Sequence, residues 1–313
     1  IMPWNFPFWQ VFRYAIPSLI VGNGALLKHA SNVQGCANMI NDCIAEAGFP
    51  NDIFNNLQIP SSLVPKVIEH DKIQGVVITG SVNAGKAVAK IAGKNLKKTV
   101  LELGGNDAYL ILDDAVLDQA VKACIEGRLL NSGQSCISAK RIIVTKSNIR
   151  SFTNKLVANL GLKVMGDPYH DVDYGPLVSL SARFEVHKMV KSSIKMGAYL
   201  NCGGKIPSGE GAYYPITILS KVKPGMPAFE EEIFGPVFSI IEADDNDHAI
   251  DLANDSKYGL GAAVFTSDIN RGRKIAEGKI HSGLCFVNDY VKSDPRLPFG
   301  GVKMSGYGRE LSS

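Results

Sequence analysis

The chain has 313 residues, 45% of them apolar, so it can bury one large hydrophobic core or two ordinary ones. Its 33 Lys and Arg residues nearly balance its 30 Asp and Glu residues, and no basic arm concentrates the net charge of +3, which argues against a nucleic-acid partner. No apolar run approaches the roughly 20 residues of a membrane-spanning helix, so we expect no membrane partner.

The cysteine pattern indicates a reducing compartment. The six cysteines form no CxxC pair and do not cluster with the six histidines, which argues against a metal site and a disulfide framework. We therefore expect a cytoplasmic protein. The first residues lack the regions of a signal peptide. Because the sequence opens on Ile1, we expect the natural N-terminus to lie upstream.

The first hundred residues alternate between helical and strand patterns. Apolar residues at helical spacing predict a helix over 31–48, and short apolar runs typical of buried parallel strands stand at 26–30 and 75–79. A second helical stretch begins at Gly85 and leads to a third apolar run at 99–103. This order predicts a doubly wound α/β sheet.

The alternation continues beyond Gly104 and Gly105, where we place a domain seam. Further strands are predicted at 108–112, 141–145, 216–219, 237–241, 262–266 and 284–288. Further helices are predicted near 114–130, 148–162, 246–255 and 269–277, and the segments 166–168 and 203–215 are loops rich in Gly and Pro.

The stretch TGSVNAGKA at 79–87 nearly spells a P-loop between a strand and a helix. Gly80, Gly85 and Lys86 fit the pattern, but Ala87 stands where a magnesium-binding hydroxyl belongs. The stretch is either a phosphate-binding turn or an ordinary strand-to-helix turn. The missing hydroxyl makes a P-loop nucleotide hydrolase the least favoured function for this sequence.

Other stretches could carry chemistry, each with a plain structural alternative. Glu102 ends a strand, where an acid in apolar surroundings could be a base or a solvated carboxylate. Cys136 could be a nucleophile, although a lone cysteine is more often a small core residue. Asn5 could donate to an oxyanion or form a turn. Glu232 and Phe234 could hold a ribose and a ring or begin a strand.

Taken in order, seven stretches of the chain resemble the aldehyde dehydrogenase superfamily: MPWNFP, LLKHAS, TGSVNAG, LELGGND, NSGQSC, EEIFGPV and PFGGVKMSGYGREL. The resemblance runs over essentially the whole sequence. It implies that Cys136 is the nucleophile, Glu102 the general base and Asn5 an oxyanion donor. It also implies oxidation of an aldehyde to its acid with NAD(P)+ through a cysteine thioester.

The resemblance also implies a set of cofactor-binding residues. Lys28 would bind the adenosine ribose, with Ser31 near its 2′ position, and Gly80 and Ser81 would meet the pyrophosphate. The residues at the nicotinamide end and along the cofactor channel would be Pro3, Trp4, Leu103, Glu232 and Phe234. Ser31 replaces the Glu that often accompanies NAD preference in the family, so we expect NADP or NAD to be accepted and hypothesise a preference for NADP.

The resemblance is closest to succinate-semialdehyde dehydrogenases. Arg13 stands where those enzymes bind the distal carboxylate, and Phe299 would line the substrate funnel. Leu130 stands at the place of their second arginine, while Arg128 lies two residues earlier. Ser138 occupies the position of a second, redox-active cysteine, so we expect no local disulfide at Cys136.

The resemblance predicts an incomplete doubly wound, Rossmann-like cofactor domain over 1–104, an α/β catalytic domain over 105–304 and a return segment over 305–313. Family chains have a large N-terminal portion before the PWNFP stretch, which this sequence lacks. The full-length enzyme is expected to form a homodimer or homotetramer and to act on a small-molecule aldehyde. A catalytically silent, structural member of the same fold is the alternative.

Overall fold

The structure, a computed structural model, describes residues 1–311. Its helices are α1 Trp9–Ile20, α2 Gln34–Glu46, α3 Val64–Glu69, α4 Val82–Lys94, α5 Leu117–Leu129, α6 Ile149–Leu160, α7 Leu180–Lys195, α8 Pro227–Glu230, α9 Asn246–Asn254 and α10 Ile269–Gly278. Its strands are β1 Ala25–Leu27, β2 Phe54–Asn56, β3 Gly75–Thr79, β4 Lys98–Glu102, β5 Ala108–Ile111, β6 Arg141–Thr145, β7 Tyr199–Cys202, β8 Thr217–Ser220, β9 Val237–Ala243, β10 Tyr258–Gly259, β11 Gly261–Phe265, β12 Leu284–Val287, β13 Val302–Lys303 and β14 Gly306–Tyr307.

The chain divides into two compact units, one comprising residues 1–104 and 293–311, the other residues 105–292. The segment 293–304, predicted from the sequence to belong to the second domain, thus lies in unit 1. Of the return segment predicted over 305–313, the last two residues lie outside the part that the structure describes.

Unit 1 contains two small sheets. Strands β1 and β2 pair in parallel, and β3 pairs in parallel with β4, whose other edge receives β14 in antiparallel orientation. The first two residues run beside both sheets: the Ile1 backbone nitrogen donates to the Val77 carbonyl at 2.8 Å, and the Met2 N–H donates to the Lys28 carbonyl at 3.1 Å. The N-terminal residues therefore help to align β1 with β3.

Unit 2 is built on a seven-stranded sheet in the order β12-β11-β5-β6-β9-β8-β7. All neighbours are parallel except β7, which is antiparallel to β8. Every residue of β5, β6 and β11 is buried, which explains their continuous apolar runs, because a parallel sheet is covered on both faces. The carboxyl ends of such strands are the usual location of functional groups.

The predicted α/β class is confirmed, while several element boundaries needed correction. Helix α4 begins at Val82 rather than Gly85, because the Ser81 side chain caps it by accepting from the Ala84 N–H at 3.3 Å. The strand expected at 26–30 ends at Leu27. Helices α1, α3, α7 and α8 were missed; α1 carries Pro17 in its interior, which lowers the helical propensity of its sequence.

Within residues 1–311, no helix is both long and apolar enough to cross a lipid bilayer.

Candidate active site

Cys136 follows a tight left-handed turn in unit 2. After α5 ends, Asn131, Ser132 and Gly133 have φ values of 51°, 56° and 78°. Left-handed conformations are unfavourable for residues with a Cβ, so two such residues in succession, Asn131 and Ser132, indicate that the surroundings hold this turn. The Gln134 side chain contributes, donating to the Asn131 carbonyl at 3.1 Å and accepting from the Val178 N–H at 2.8 Å.

The burial pattern distinguishes Cys136 from an ordinary core cysteine. From residue 132 to residue 145 every residue is buried except Cys136, which is half-buried. By contrast, Cys124 on α5 is fully buried, and burial raises the pKa of its thiol. A nucleophilic thiol needs access for its substrate. Cys136 keeps that access within an otherwise buried segment.

Glu232 lies beside the Cys136 turn in the same unit. Its Oε1 accepts from the Gly105 N–H at 3.1 Å and lies 3.5 Å from the Lys140 Nζ. Burial raises the pKa of Glu232, and the Lys140 ammonium opposes that shift. Phe234, two residues later, is half-buried. The structure therefore brings Cys136, Glu232 and Phe234 onto neighbouring segments of unit 2.

Glu102 ends β4 in unit 1 and is only 2% exposed. Neither carboxylate oxygen has a hydrogen-bond partner within residues 1–311. A Cβ on Gly300 would come within 2.8 Å of Oε1, so a glycine there allows the close approach of this segment. Burial, reinforced by the negative charge of Glu310, raises the pKa of Glu102 to about 8. A carboxyl with such a pKa can exchange protons near neutral pH.

Asn5 lies in the loop before α1, together with Pro3 and Trp4, both half-buried. Its carbonyl oxygen accepts from the Gln10 side chain at 3.2 Å, an arrangement that leaves the amide nitrogen as the donor end. His29 fixes the same loop. Its Nε2 lies 3.0 Å from the Pro7 carbonyl oxygen, and its Nδ1 lies 3.0 Å from the Ala30 nitrogen and 3.1 Å from the Met2 carbonyl oxygen.

Arg13 occupies a buried position on α1 in unit 1. Its guanidinium forms an ion pair with Glu310, and its central carbon lies 4.2 Å from the centre of the Phe299 ring. Phe299 and Glu310 pair through two backbone hydrogen bonds of 2.8 Å. The Nη2 of Arg13 has no hydrogen-bond partner within residues 1–311. Arg13 therefore lies between a ring and a carboxylate, with one buried donor group that bonds nothing within residues 1–311.

Arg13 also lines a cavity of about 540 Å³ within unit 1. The walls are mostly apolar, with one further cation at the rim, and comprise Trp9, Phe12, Ile16, Pro17, Pro295, Arg296 and Leu311. The Arg296 guanidinium is exposed and bonds both carboxylate oxygens of Asp294 at 2.8 and 2.6 Å. An apolar cavity with a guanidinium in its wall suits a short chain that ends in a carboxylate.

Four of the predicted cofactor residues of unit 1, Lys28, Ser31, Gly80 and Ser81, lie at or shortly before the starts of two helical segments. Gly80 and Ser81 precede α4, whose first turn contains no acidic side chain. Ser31 is exposed at the start of a short 3-10 helix over Ser31–Val33, three residues after the half-buried Lys28. Helix N-termini favour phosphate groups through their N–H groups and dipole, so these positions suit a dinucleotide.

The remaining residues of the near P-loop have a structural role. Gly85 lies inside α4, and a Cβ there would come within 2.5 Å of the Leu103 side chain. Gly85 thus permits close packing of α4 on the segment after β4, and Leu103 itself is buried. Lys86 is exposed on the helix. Gly85 and Lys86 therefore belong to helix α4, while Gly80 and Ser81 stand directly before its N-terminus.

Several residues that shape these sites were not predicted from the sequence. His29 anchors the Asn5 loop, Lys140 contacts the Cys136 turn, and Asp107 bonds the Gly261 N–H at 3.0 Å from a fully buried position. Burial raises the pKa of Asp107 to about 7. The available signal was a polar residue inside or beside a strongly apolar strand run. Within residues 1–311, no group of three or more His, Cys, Asp or Glu side chains could hold a metal ion.

Comparisons with known proteins point in one direction. The model of the aldehyde dehydrogenase family matches residues 1–313. The succinate semialdehyde dehydrogenase [NAD(P)+] Sad of Escherichia coli is 47% identical over all of this chain and 68% of its own length. A probable succinate-semialdehyde dehydrogenase [NADP(+)] of Synechocystis is 45% identical over 99% of this chain and 68% of its own length. The solved structure of succinic semialdehyde dehydrogenase from Streptococcus pyogenes with NADP+ is 41% identical, with a TM-score of 0.96 over 99% of this chain and 68% of that chain.

The Cys136 turn generates the first testable prediction. A Cβ on Gly133 would lie 2.3 Å from the Gly235 carbonyl oxygen, whereas Gly22, also left-handed at φ 89°, has nothing within 4 Å. We expect Gly133→Ala to lower the unfolding free energy by about 1–3 kcal/mol more than the control Gly22→Ala, because it adds a steric clash to the shared strain. Denaturant unfolding of both variants measures this, and equal losses would show that the contact is unimportant.

Proposed function

The chain belongs to the aldehyde dehydrogenase family, as the motif resemblance implied, and from that premise we propose that it oxidises succinate semialdehyde to the dicarboxylic acid with NAD(P)+ through a thioester on Cys136. Unit 1 would bind the cofactor and unit 2 would carry the nucleophile. The full-length enzyme would act as a homodimer or homotetramer. The Cys136 thiolate would add to the aldehyde carbon, forming a C–S bond and an oxyanion.

Asn5 supports this step as the donor to the developing oxyanion. Its carbonyl end is held by Gln10, so the amide nitrogen is oriented before the reaction begins. His29 restrains the loop from behind through the Pro7 carbonyl. Donors that are held in advance stabilise a developing negative charge more strongly than mobile ones, because no reorganisation is needed as the charge forms.

The cofactor, when bound, supplies the acceptor for the hydride that the adduct carbon loses. Ser81 and the α4 N-terminus would bind its phosphates, Lys28 its adenosine ribose, and Glu232 and Phe234 its nicotinamide end. An ionised Glu232 is needed to accept from two ribose hydroxyls, and Lys140 favours that ionised form. Ser31 offers a neutral hydroxyl near the 2′ position, which would not repel a 2′-phosphate.

Glu102 would act as the general base for hydrolysis of the thioester. It would accept a proton from water, the resulting hydroxide would attack the thioester carbon, and the C–S bond would break to release the acid and the thiolate. Its pKa of about 8 gives it substantial base strength once ionised. Neither of its oxygens accepts a hydrogen bond within residues 1–311, so no protein donor would compete with a water molecule for them.

The location of Arg13 is the observation that supports a short aldehyde with a carboxylate at its other end. A buried guanidinium with an unpartnered Nη2, lining a mostly apolar cavity, is suited to one carboxylate at the end of a short chain. The relatives named as succinate-semialdehyde dehydrogenases support the same substrate. Leu130 is half exposed and offers no second cation at its position. Arg128 is bonded to Ser138 and Ile233 instead.

The decisive experiment follows NAD(P)H formation at 340 nm with succinate semialdehyde. We expect the parent's turnover to rise with pH and to level off above about 8, because only ionised Glu102 activates water. Cys136→Ala should form no NAD(P)H. Glu102→Gln should form about one equivalent per chain and then stop, because hydride loss precedes hydrolysis.

A parent that forms no NAD(P)H with any aldehyde would instead support a catalytically silent, structural member of the fold.

The pH dependence of the unfolding free energy gives an independent check on Glu102, and its sign is defined by the raised pKa. The folded chain retains the proton up to about pH 8, whereas the unfolded chain releases it near 4.5. The stabilising effect of the carboxyl is therefore complete below pH 4.5 and is lost as the pH rises through about 8.

The role of Arg13 is tested by comparing succinate semialdehyde with butanal. Arg13→Gln should raise KM for succinate semialdehyde about 10–100-fold, the effect of one charged hydrogen bond, and leave KM for butanal within about threefold. Because Arg13→Gln leaves the buried Glu310 carboxyl without its cation, Arg13→Gln/Glu310→Gln serves as the matched variant. Equal increases for both aldehydes in that double variant would assign Arg13 a purely structural role.

Cofactor choice is tested at Ser31. The parent should use NADP at least as efficiently as NAD, and Ser31→Glu should shift the kcat/KM ratio toward NAD by about tenfold, because a carboxylate repels the 2′-phosphate by roughly 1.4 kcal/mol. Asn32→Glu adds the same charge to the neighbouring exposed residue and is the control. A strong NAD preference in the parent, or equal shifts in both variants, would contradict the role proposed for Ser31.

A further inference from the structure

Two buried cations flank the Cys136 turn in unit 2. Lys140, 2% exposed, donates through Nζ to the Ser135 carbonyl at 2.9 Å and to the Cys136 carbonyl at 2.6 Å. Arg128, 1% exposed, donates through Nη1 to the Ser138 Oγ at 2.7 Å. Each cation therefore bonds a residue at or within two positions of the proposed nucleophile.

The same two cations reach the loop that carries Glu232 and Phe234. The Lys140 Nζ lies 3.5 Å from the Glu232 Oε1, and the Arg128 Nη2 donates to the Ile233 carbonyl at 2.8 Å. Lys140 and Arg128 thus make two independent bridges between one pair of segments. Neither segment is a regular helix or strand at these residues, so backbone ladders do not fix their separation.

Ser138 completes one of the bridges. Its Oγ accepts from Arg128 and donates to the Ser135 carbonyl at 3.0 Å. A thiol at this position would be a weaker acceptor for the guanidinium. The Ser138 hydroxyl therefore has a structural role, because it links Arg128 to the Ser135 carbonyl in the turn before Cys136.

Burying two cations is expensive, and the Nε of Arg128 has no hydrogen-bond partner within residues 1–311. Apolar side chains of similar volume could fill the same space, but they would not fix the carbonyls or balance the charge of Glu232. We propose that Lys140 and Arg128 are positioning residues, which tie the turn of Cys136 to the loop of Glu232 and Phe234 so that the thiol and the nicotinamide-binding residues keep one separation. The roles of Cys136 and Glu232 in this inference rest on the proposed function.

Lys140 should also affect the reactivity of the Cys136 thiol. Its ammonium bonds the Cys136 carbonyl, and its charge attracts the thiolate. Removal of the charge should therefore slow the reaction of Cys136 with an alkylating reagent, whether or not a cofactor or an aldehyde is present. This readout separates the positioning role from the proposed dehydrogenase activity.

The test measures alkylation of Cys136 by iodoacetamide, with the modified peptide quantified by mass spectrometry. We expect Lys140→Met to slow the reaction at least about fivefold and Lys140→Arg to restore most of the rate. Lys155→Met, which removes an exposed lysine paired with Asp118 at 2.6 Å, is the control and should match the parent. Parent-like alkylation in a folded Lys140→Met protein would overturn the proposal.

A second variant separates positioning from mere stability. Lys140→Met/Glu232→Gln removes the anion that Lys140→Met leaves uncompensated, so it should regain thermal stability while alkylation stays slow. Recovery of the alkylation rate together with stability would assign Lys140 a structural role only and overturn the proposal. Slow alkylation in the Lys140→Met variant of a parent that oxidises no aldehyde would leave the proposal standing and remove the proposed function instead.

For Arg128, the conservative variant is the more informative one. Arg128→Lys keeps a positive charge but cannot bond the Ser138 Oγ and the Ile233 carbonyl at once. In the active parent, we expect Arg128→Lys to raise KM for NADP and to lower kcat, each by about tenfold, with the melting temperature nearly unchanged. Unchanged kinetics in this variant would show that the second bridge does not position the two segments.

Discussion

Desolvation of charged side chains is the physical constraint on which both units depend. In unit 1 the Glu102 carboxyl is removed from water without a hydrogen-bond partner within residues 1–311, and its pKa rises to about 8 as a result. The nearby Arg13 limits that rise, yet it is itself engaged by Glu310. The balance among these three groups decides whether Glu102 holds or releases its proton near neutral pH.

Unit 2 meets the same constraint by a different arrangement. Lys140 is as buried as Glu102, but its ammonium has two carbonyl partners and a carboxylate within 3.5 Å. Burial lowers the pKa of Lys140, and the negative charge of Glu232 opposes that shift, so the ammonium is partly compensated and bonds the neighbouring segments. Glu102 has no hydrogen-bond partner within residues 1–311, whereas Lys140 has two, and this difference underlies the roles proposed for the two side chains.

The motifs in the sequence were sufficient for the fold class and the family, but single residues could not be interpreted from local context. Cys136 alone favoured a core thiol, because free cysteines are usually buried. Its exposure between buried neighbours depends on the left-handed turn at 131–133 and on the Gln134 contact with Val178, 44 residues away. Similarly, the local sequence of the near P-loop does not show that Gly85 lies within a helix, where it packs against Leu103.

The sequence by itself determined the alternation of strands and helices, since burial on both faces of a parallel sheet leaves continuous apolar runs. It also determined the ordered motifs that place the chain in its family. Only the tertiary structure decided the electrostatic setting of each ionisable group. Arg13 pairs with Glu310 and Lys140 approaches Glu232 across 297 and 92 positions of sequence. The pKa of a side chain depends on burial and on charges brought near by folding, and neither quantity is encoded in its immediate neighbours.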